Sequence, residues 1–308
     1  MQLNLHHLRV FHAVAEQRSF TRAAATLFIS QPAVSKAVRE LEQQLDLPLV
    51  DRAGPRAGGV RLTESGSALF EHARGIFALE RAAIDDVKAR VGLRRGRLAV
   101  GASTTVAGYW LPPYLAALGR EFPSVQLQVQ VGNTALISRA LIDCDVDIAL
   151  VEGAVRDPRI VATRWRREEL AIVARPGGTF ARKRTPTAAE LNETVWLMRE
   201  SGSGTREAAQ KIMKALGIVP KRGLDFGSNE GIARAVASGM GVALLPMRIV
   251  RELALIGEVE VLRVAQAQPL ERQLYMLQLK QRPTAPLVRA FSDLLMRDRD
   301  EIQSQPRQ

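Results

Sequence analysis

Ser30-Gln31-Pro32-Ala33-Val34-Ser35-Lys36-Ala37-Val38-Arg39-Glu40-Leu41 is the stretch on which the reading of this 308-residue chain turns. Ser30 is a good N-cap, and Pro32 falls in the first turn, where its missing N–H costs no helical hydrogen bond. Ala33, Val34, Ala37, Val38, Leu41 and Leu45 recur at three- and four-residue spacing and form one apolar stripe. Gln31, Ser35, Lys36 and Arg39 are left on the other faces. Gln can pair bidentately with adenine, Lys with guanine or phosphate, and Ser with base edges or backbone. Close to a helix N-terminus such groups reach base edges, and the dipole there favours a phosphate. Taken alone, the pattern fits a solvated helical hairpin as well as a DNA-reading helix.

The flanks narrow the choice. Leu5, Leu8, Phe11, Val14 and Ala15 make residues 5–17 an amphipathic helix. After a break at Gln17-Arg18-Ser19 comes a short helix, Phe20 to Phe28. Thr21 and Arg22 at its start count among the DNA-facing residues, and Ala23 and Ala24 permit a close helix crossing. Downstream, Leu47–Val50 and Val60–Leu62 read as short strands around a Gly/Pro-rich loop. With Arg52, Arg56 and Arg61, that loop has the character of a wing lying along a phosphate backbone. The order helix, helix, reading helix, basic wing favours DNA. A helix then runs from about Thr63 to Val91, with a heptad seam of Phe70, Ala73, Phe77, Glu80, Ile84, Val87 and Val91. That seam suits either packing on its own domain or pairing with a second copy. Its place between a small head and a large body favours a homodimer, which sets two reading helices on successive turns of DNA.

Composition bounds the remaining possibilities. The chain is 46% hydrophobic and 24% charged, with a formal charge of +11. Residues 1–61 carry a net +3, 62–92 a net −1 and 93–308 a net +9, so the excess is not concentrated where DNA is expected. Apolar runs such as Val242–Leu245 fall far short of the roughly 20 residues of a membrane helix. No apolar region of the kind found in secretion signals follows Met1, and the lone Cys144 excludes an internal disulfide. A cytoplasmic protein with no membrane partner is expected.

From residue 93 onward, strand and helix signals alternate, which argues an α/β sheet with ligands at the strand carboxyl ends. Hydroxyls and amides gather at four strand-to-helix junctions: Ser103-Thr104-Thr105, Asn133-Thr134, Ser201-Gly202-Ser203-Gly204-Thr205 and Ser228-Asn229. Free N–H groups at helix starts, backed by Ser and Thr hydroxyls, can hold an anion without a full counter-charge. Gly202 and Gly204 let backbone approach a ligand closely. Each junction alone is equally a plain N-cap; their recurrence points to a shared pocket. An enzyme fits poorly. All four histidines, His6, His7, His12 and His72, precede residue 93. Cys144 lies between Asp143 and Asp145, which disfavour a thiolate. No phosphate-binding glycine loop ends in Lys-Ser or Lys-Thr, and no Cys/His set has metal-ligand spacing. No metal or cofactor is expected. A transport solute-binding protein would have no use for the reading helix.

Leu8-Arg9-Val10-Phe11, Ser19-Phe20-Thr21-Arg22-Ala23-Ala24, Ser30-Gln31-Pro32-Ala33-Val34-Ser35, Leu41-Glu42 and Leu62-Thr63-Glu64-Ser65-Gly66 together resemble the LysR-type transcriptional regulators. The resemblance implies an α/β protein with an all-α-type head. Residues 1–62 would be a winged helix-turn-helix and 63–92 a linker and dimerisation helix. Residues 93–308 would be an effector domain folded like a periplasmic solute-binding protein, with lobe I at about 93–163 and 269–300 and lobe II at about 164–268. It further implies that Gln31, Pro32, Ser35 and Lys36 approach the major groove and that Arg52 is the basic residue before the wing. A homotetramer on double-stranded promoter DNA follows, with RNA polymerase a further candidate partner. Val50 stands where the family often has Phe, and the wing is longer than usual.

Gly101–Thr105, Val131–Thr134, Leu150–Gly153 and Arg199–Arg206 resemble in particular the branch regulating sulfite reduction, sulfur assimilation and Calvin-cycle carbon fixation. Sulfur oxyanions and phosphorylated or carboxylated metabolites are then the candidate effectors. A Glu152 facing the cleft calls for an anion that carries a donor; Arg199 or Arg206 could offset it.

Overall fold

Three polar side chains begin the first three helices. Asn4 Oδ1 accepts from the backbone N–H of His6 at 2.9 Å and opens α1 (Leu5–Gln17). Ser19 caps α2 (Phe20–Leu27), and Ser30 Oγ accepts from Ala33 N at 3.4 Å to open α3 (Gln31–Leu45). The computed structural model describes residues 2–51, 59–90, 96–153, 155–180, 185–264 and 270–303, and its contacts divide the chain into two units, Met1–Ile84 and Asp85–Gln308.

In the first unit, Leu8, Phe11, Val14, Ala23, Val34, Val38 and Leu41 are fully buried together. Fully burying a Leu- or Phe-sized side chain contributes about 1.5–3 kcal/mol, so this small core holds the three helices. Ala33 departs from the expected stripe. It is exposed, because α3 has only its Val34, Ala37, Val38 and Leu41 side against the neighbouring helices.

The expected strand at Leu47–Val50 is shorter and later: β1 (Val50–Asp51) pairs antiparallel with β2 (Arg61–Leu62). Glu42 Oε1 ties this ribbon to α3 by accepting from Leu49 N at 2.9 Å and Val50 N at 3.1 Å. The long helix follows as α4 (Glu64–Arg90). A Cβ on Gly66 would lie 2.0 Å from the Leu49 carbonyl, so only glycine admits this contact. The seam expected for a second copy is partly intramolecular. Ala73 and Phe77 are buried in the head's own core and Phe70 packs against it, since three short helices leave an apolar face that α4 covers. Glu80 is bound to Arg9 at 2.5 Å. Ile84 and Val87, by contrast, are exposed.

The second unit is built on one path of strands. β3 (Gly96–Ser103) lies parallel between β4 (Val125–Gly132) and β5 (Ile148–Glu152). These strands alternate with α5 (Thr104–Tyr109), α6 (Pro112–Glu121) and α7 (Thr134–Ile142). A 15-residue strand, β6 (Ile160–Ala174), then leaves this lobe for a second one. That lobe contains α8 (Ala188–Asn192), β7 (Val195–Arg199), α9 (Gly204–Ala215), β8 (Arg222–Phe226) and α10 (Asn229–Ala237). β9 (Ala243–Pro246), α11 (Met247–Leu255) and β10 (Glu260–Leu262) complete it. β11 (Glu271–Leu279) returns the chain to lobe I, where α12 (Pro286–Gln303) packs.

β6 is the shared element. Its residues up to Glu169 pair with β11, and from Leu170 onward it pairs with β9 and β10. The partner therefore changes six residues beyond the lobe boundary expected after Thr163, inside a continuous strand. A bulge opposite Leu274 and Tyr275 lets the consecutive Trp165 and Arg166 both be buried.

Candidate nucleic-acid interface and effector cleft

On α3, Gln31, Pro32, Lys36 and Arg39 are exposed and Ser35 is half-buried, while the opposite face is anchored in the core. The polar side chains are held in order along the helix. Gln31 Nε2 donates to Ser35 Oγ at 3.0 Å, Arg39 Nε to Ser35 O at 3.3 Å, and Lys36 stands 3.7 Å from Glu40. Thr21 and Arg22 on α2 are exposed as well; Arg22 Nη2 donates to Gln17 O at 2.6 Å. Arg61 is exposed on β2, whereas Arg52 and Arg56 fall outside the described residues. Sequence reasoning passed over Phe28. It sits in the α2–α3 turn with φ 56° and is 95% exposed, beside the start of α3. The signal was there, because a turn of this kind demands a left-handed residue.

The four junctions of the body converge between the lobes. Ser103 ends β3 and Thr104 and Thr105 open α5, Asn133 and Thr134 follow β4, and Glu152 ends β5, all in lobe I. Ser201 to Thr205 and Ser228-Asn229 come from lobe II. Five hydrogen bonds span these groups. Arg199 Nη1 donates to Thr104 at 3.2 Å, Asn133 Nδ2 to Glu200 at 3.2 Å and Asn229 Nδ2 to Thr105 at 2.9 Å. Ala135 N donates to Gly202 O at 3.0 Å, and Arg272 Nη1 to Thr205 at 2.6 Å.

The glycines serve this closeness. A Cβ on Gly202 would come within 2.9 Å of Ala135 Cβ, and one on Gly204 within 2.3 Å of the Glu152 carbonyl. The close approach they permit is to the facing lobe. Asn133 and Ser228 also cap their own helices, accepting from Leu136 N at 3.0 Å and Gly231 N at 2.9 Å, and Ser201 is exposed. Ser103 and Ser203 differ: both are buried, and neither side chain caps the helix it precedes. Ser103 Oγ and Asn229 Oδ1 are buried without a hydrogen-bond partner among the described residues.

Glu152 is not a cleft-facing free carboxylate. It is 2% exposed, within 3.4 Å of Arg272, and Thr134 Oγ1 donates to its backbone carbonyl at 3.0 Å. Arg272 also meets Glu168 at 2.5 Å, and Trp110 Nε1 donates to Glu168 at 2.7 Å. Arg272, Glu168 and Trp110 were missed from sequence, although Arg272 shares the inward phase of Leu274 and Met276 along β11. Arg199 is buried and grips Glu200 bidentately, at 2.7 and 2.8 Å. Burial pushes the Glu200 carboxyl up. The hydrogen bonds from Arg199, its own backbone N–H and Asn133 outweigh that and hold it below the usual range. Arg206 pairs with Asp225 at 2.6 Å. Both buried arginines of the cleft are therefore already compensated, and the donors left over are neutral.

Two family models match the chain. Residues 5–67 match the bacterial regulatory helix-turn-helix protein, lysR family, and residues 92–299 the LysR substrate binding domain. The RuBisCO operon transcriptional regulator of Allochromatium vinosum is 31% identical over 296 residues, 96% of each chain. The HTH-type transcriptional regulator CysL of Bacillus subtilis is 31% identical over 257 residues, 83% of this chain and 85% of that one. Among solved structures, the CcmR regulatory domain of Synechocystis PCC6803 in complex with 2-PG superposes with a TM-score of 0.61 at 26% identity. It covers 68% of this chain and 99% of that one.

Proposed function

This chain belongs to the LysR family of DNA-binding transcription regulators, and on that premise we propose that α3 reads promoter DNA and that a small anion held between the lobes gates the reading. It is a regulator with an effector-binding domain, not an enzyme. Gln31, Ser35, Lys36 and Arg39 are the base- and phosphate-directed groups, with Pro32, Thr21, Arg22, Arg52 and Arg56 around them. The exposed Ile84 and Val87 of α4 pair with a second copy, and the assembly is a tetramer acting in the cytoplasm with RNA polymerase as partner.

One observation carries the effector reading. The cleft keeps a buried Ser103 hydroxyl and one end of the Asn229 amide without a partner among the described residues, while its arginines are internally neutralised. A buried polar group without a partner costs about 1–3 kcal/mol, so these groups call for a ligand that completes them. Ser203 and the first N–H groups of α9 add donors on the lobe II side. Neutral donors suit a small oxyanion or a compact phosphorylated or carboxylated metabolite better than a polyanion. The 2-PG complex of the CcmR regulatory domain is a precedent of that chemistry. The anion favours one lobe angle, and the assembly passes that preference to its DNA-reading heads.

Gel-shift and footprinting with sulfate, sulfite and 2-phosphoglycolate test both halves. Gln31→Ala with Ser35→Ala should abolish specific retardation while circular dichroism is unchanged. Ser103→Ala should leave the unliganded footprint intact and remove its response to the anion. Unaltered specific affinity in the first variant defeats the reading-helix assignment, and an unaltered response in the second defeats the cleft assignment.

A further inference from the structure

A second concavity, of about 810 Å³, opens between α7 and α9. It adjoins the cleft described above at Thr134, Ala135, Gly202 and Arg272, and Ser103 and Asn229 do not line it. Helical spacing builds its walls. Glu207, Ala208, Lys211 and Ala215 line one side from α9, while Ser138 faces them from α7 and Arg156 comes from the segment after β5. Neither Arg156 nor Lys211 forms an ion pair with another described residue. Lys211 stands one helical turn from Glu207, the spacing at which such pairs usually close, yet no pair links them. Ser138 is 7% exposed, and its Oγ has no hydrogen-bond partner among the described residues. Gly153, with φ 78°, keeps the space beside Glu207 clear: a Cβ there would stand 3.5 Å from Glu207 Oε2.

We infer that this groove is a second ligand site, for a small organic anion that also carries a hydrogen-bond donor. Arg156 and Lys211 provide the charge for its acidic group, and Ser138 is the buried polar anchor. Glu207 accepts from its amine or hydroxyl, and Ile212 and Tyr275 cover its carbon skeleton. The groove does not include the Ser103 hydroxyl or the Asn229 amide, and the proposal needs no effector bound to them. Because α7 belongs to lobe I and α9 to lobe II, an occupant bridges the lobes and biases the angle between them.

The amphipathic sulfonate 8-anilinonaphthalene-1-sulfonate carries an acidic group, an N–H donor and an apolar frame, and its fluorescence reports binding to the full-length protein. Saturable binding is expected, weakened at least tenfold in Arg156→Gln with Lys211→Gln and equally in Ala215→Phe, which fills the groove without touching charge. Binding to Ser103→Ala should match the parent. All these substituted groove positions are exposed, so circular dichroism should be unchanged in each variant. Absence of saturable binding, parent-like binding in the two groove variants, or loss in Ser103→Ala alone overturns the assignment.

Discussion

Single residues in the head carry conformational and electrostatic costs that the rest of the fold absorbs. Phe28 adopts a left-handed conformation that bulky side chains avoid, and it gains no packing in return. Replacing it by Asn, which tolerates that conformation, should stabilise the head by up to about 1 kcal/mol. Slower hydrogen exchange of the α1–α3 amides would register the gain; unchanged exchange would mean that the turn is not strained. His12 is packed against Phe70 and Phe77, with ring centroids 5.1 and 5.5 Å away. Its pKa is lowered from 6.5, first by burial; Glu16 opposes this, and Arg74, Arg9 and Arg81 reinforce it. The unfolded chain thus takes up the proton before the folded one as pH falls. Stability contributed by neutral His12 is full above about pH 6.5 and declines below it, through the window down to the folded pKa. Urea unfolding at pH 7.5 and 5.5, followed by circular dichroism, should show the head losing stability at the lower pH. His12→Phe should remove most of that loss.

At the level of elements, what was legible in the sequence was whatever periodicity and capping dictate. The three head helices follow from their apolar spacing and, for α3, from the Ser30 cap, whereas the Asn4 and Ser19 caps emerge only in the structure. The α/β alternation of the body follows in the same way. Pairing across long sequence separations was not legible: nothing local in Ile160–Ala174 says that one strand serves both lobes, because its partners β9 and β11 lie far downstream in the chain. The site was legible as junctions and not as contacts. Ser103 and Asn229 emerged from composition, whereas the Arg272–Glu168–Glu152 cluster depends on β11 meeting β5 and β6.

α4 shows how one pattern can hold two meanings. Its heptad holds one polar member, yet Ala73 and Phe77 belong to the head's core and Glu80 is exposed beside Arg9, leaving Ile84 and Val87 as the exposed apolar residues of the described seam. Ile84→Asp with Val87→Asp should therefore dissociate the proposed dimer while leaving helix content intact. Light scattering coupled to size-exclusion chromatography checks this, and an undiminished mass would move the interface elsewhere.

Over the whole molecule, the effector unit is held by polar bonds across its lobes rather than by a shared apolar core. Its buried clusters lie on either side of the lobe I sheet or within lobe II. The cross-lobe contacts are directional: Arg199 to Thr104, Asn229 to Thr105, and the Arg248 guanidinium 3.8 Å above the Trp110 ring. Such contacts are lost together when the lobes part, which suits an element with two discrete arrangements. The Thr105–Asn229 bond is the cleanest to test, because both residues are fully buried. Thr105→Val leaves the Asn229 amide buried with neither end bonded and should cost the unit about 1–3 kcal/mol. Adding Asn229→Leu replaces both partners by apolar groups and should recover part of that cost, a non-additivity expected only of residues that interact. Tryptophan fluorescence during urea unfolding reads this unit alone, since Trp110, Trp165 and Trp196 all lie within Asp85–Gln308. Strictly additive effects of the two substitutions would show that the bond does not hold the lobes together in solution, and closure would then rest on the Arg199 and Arg272 contacts instead.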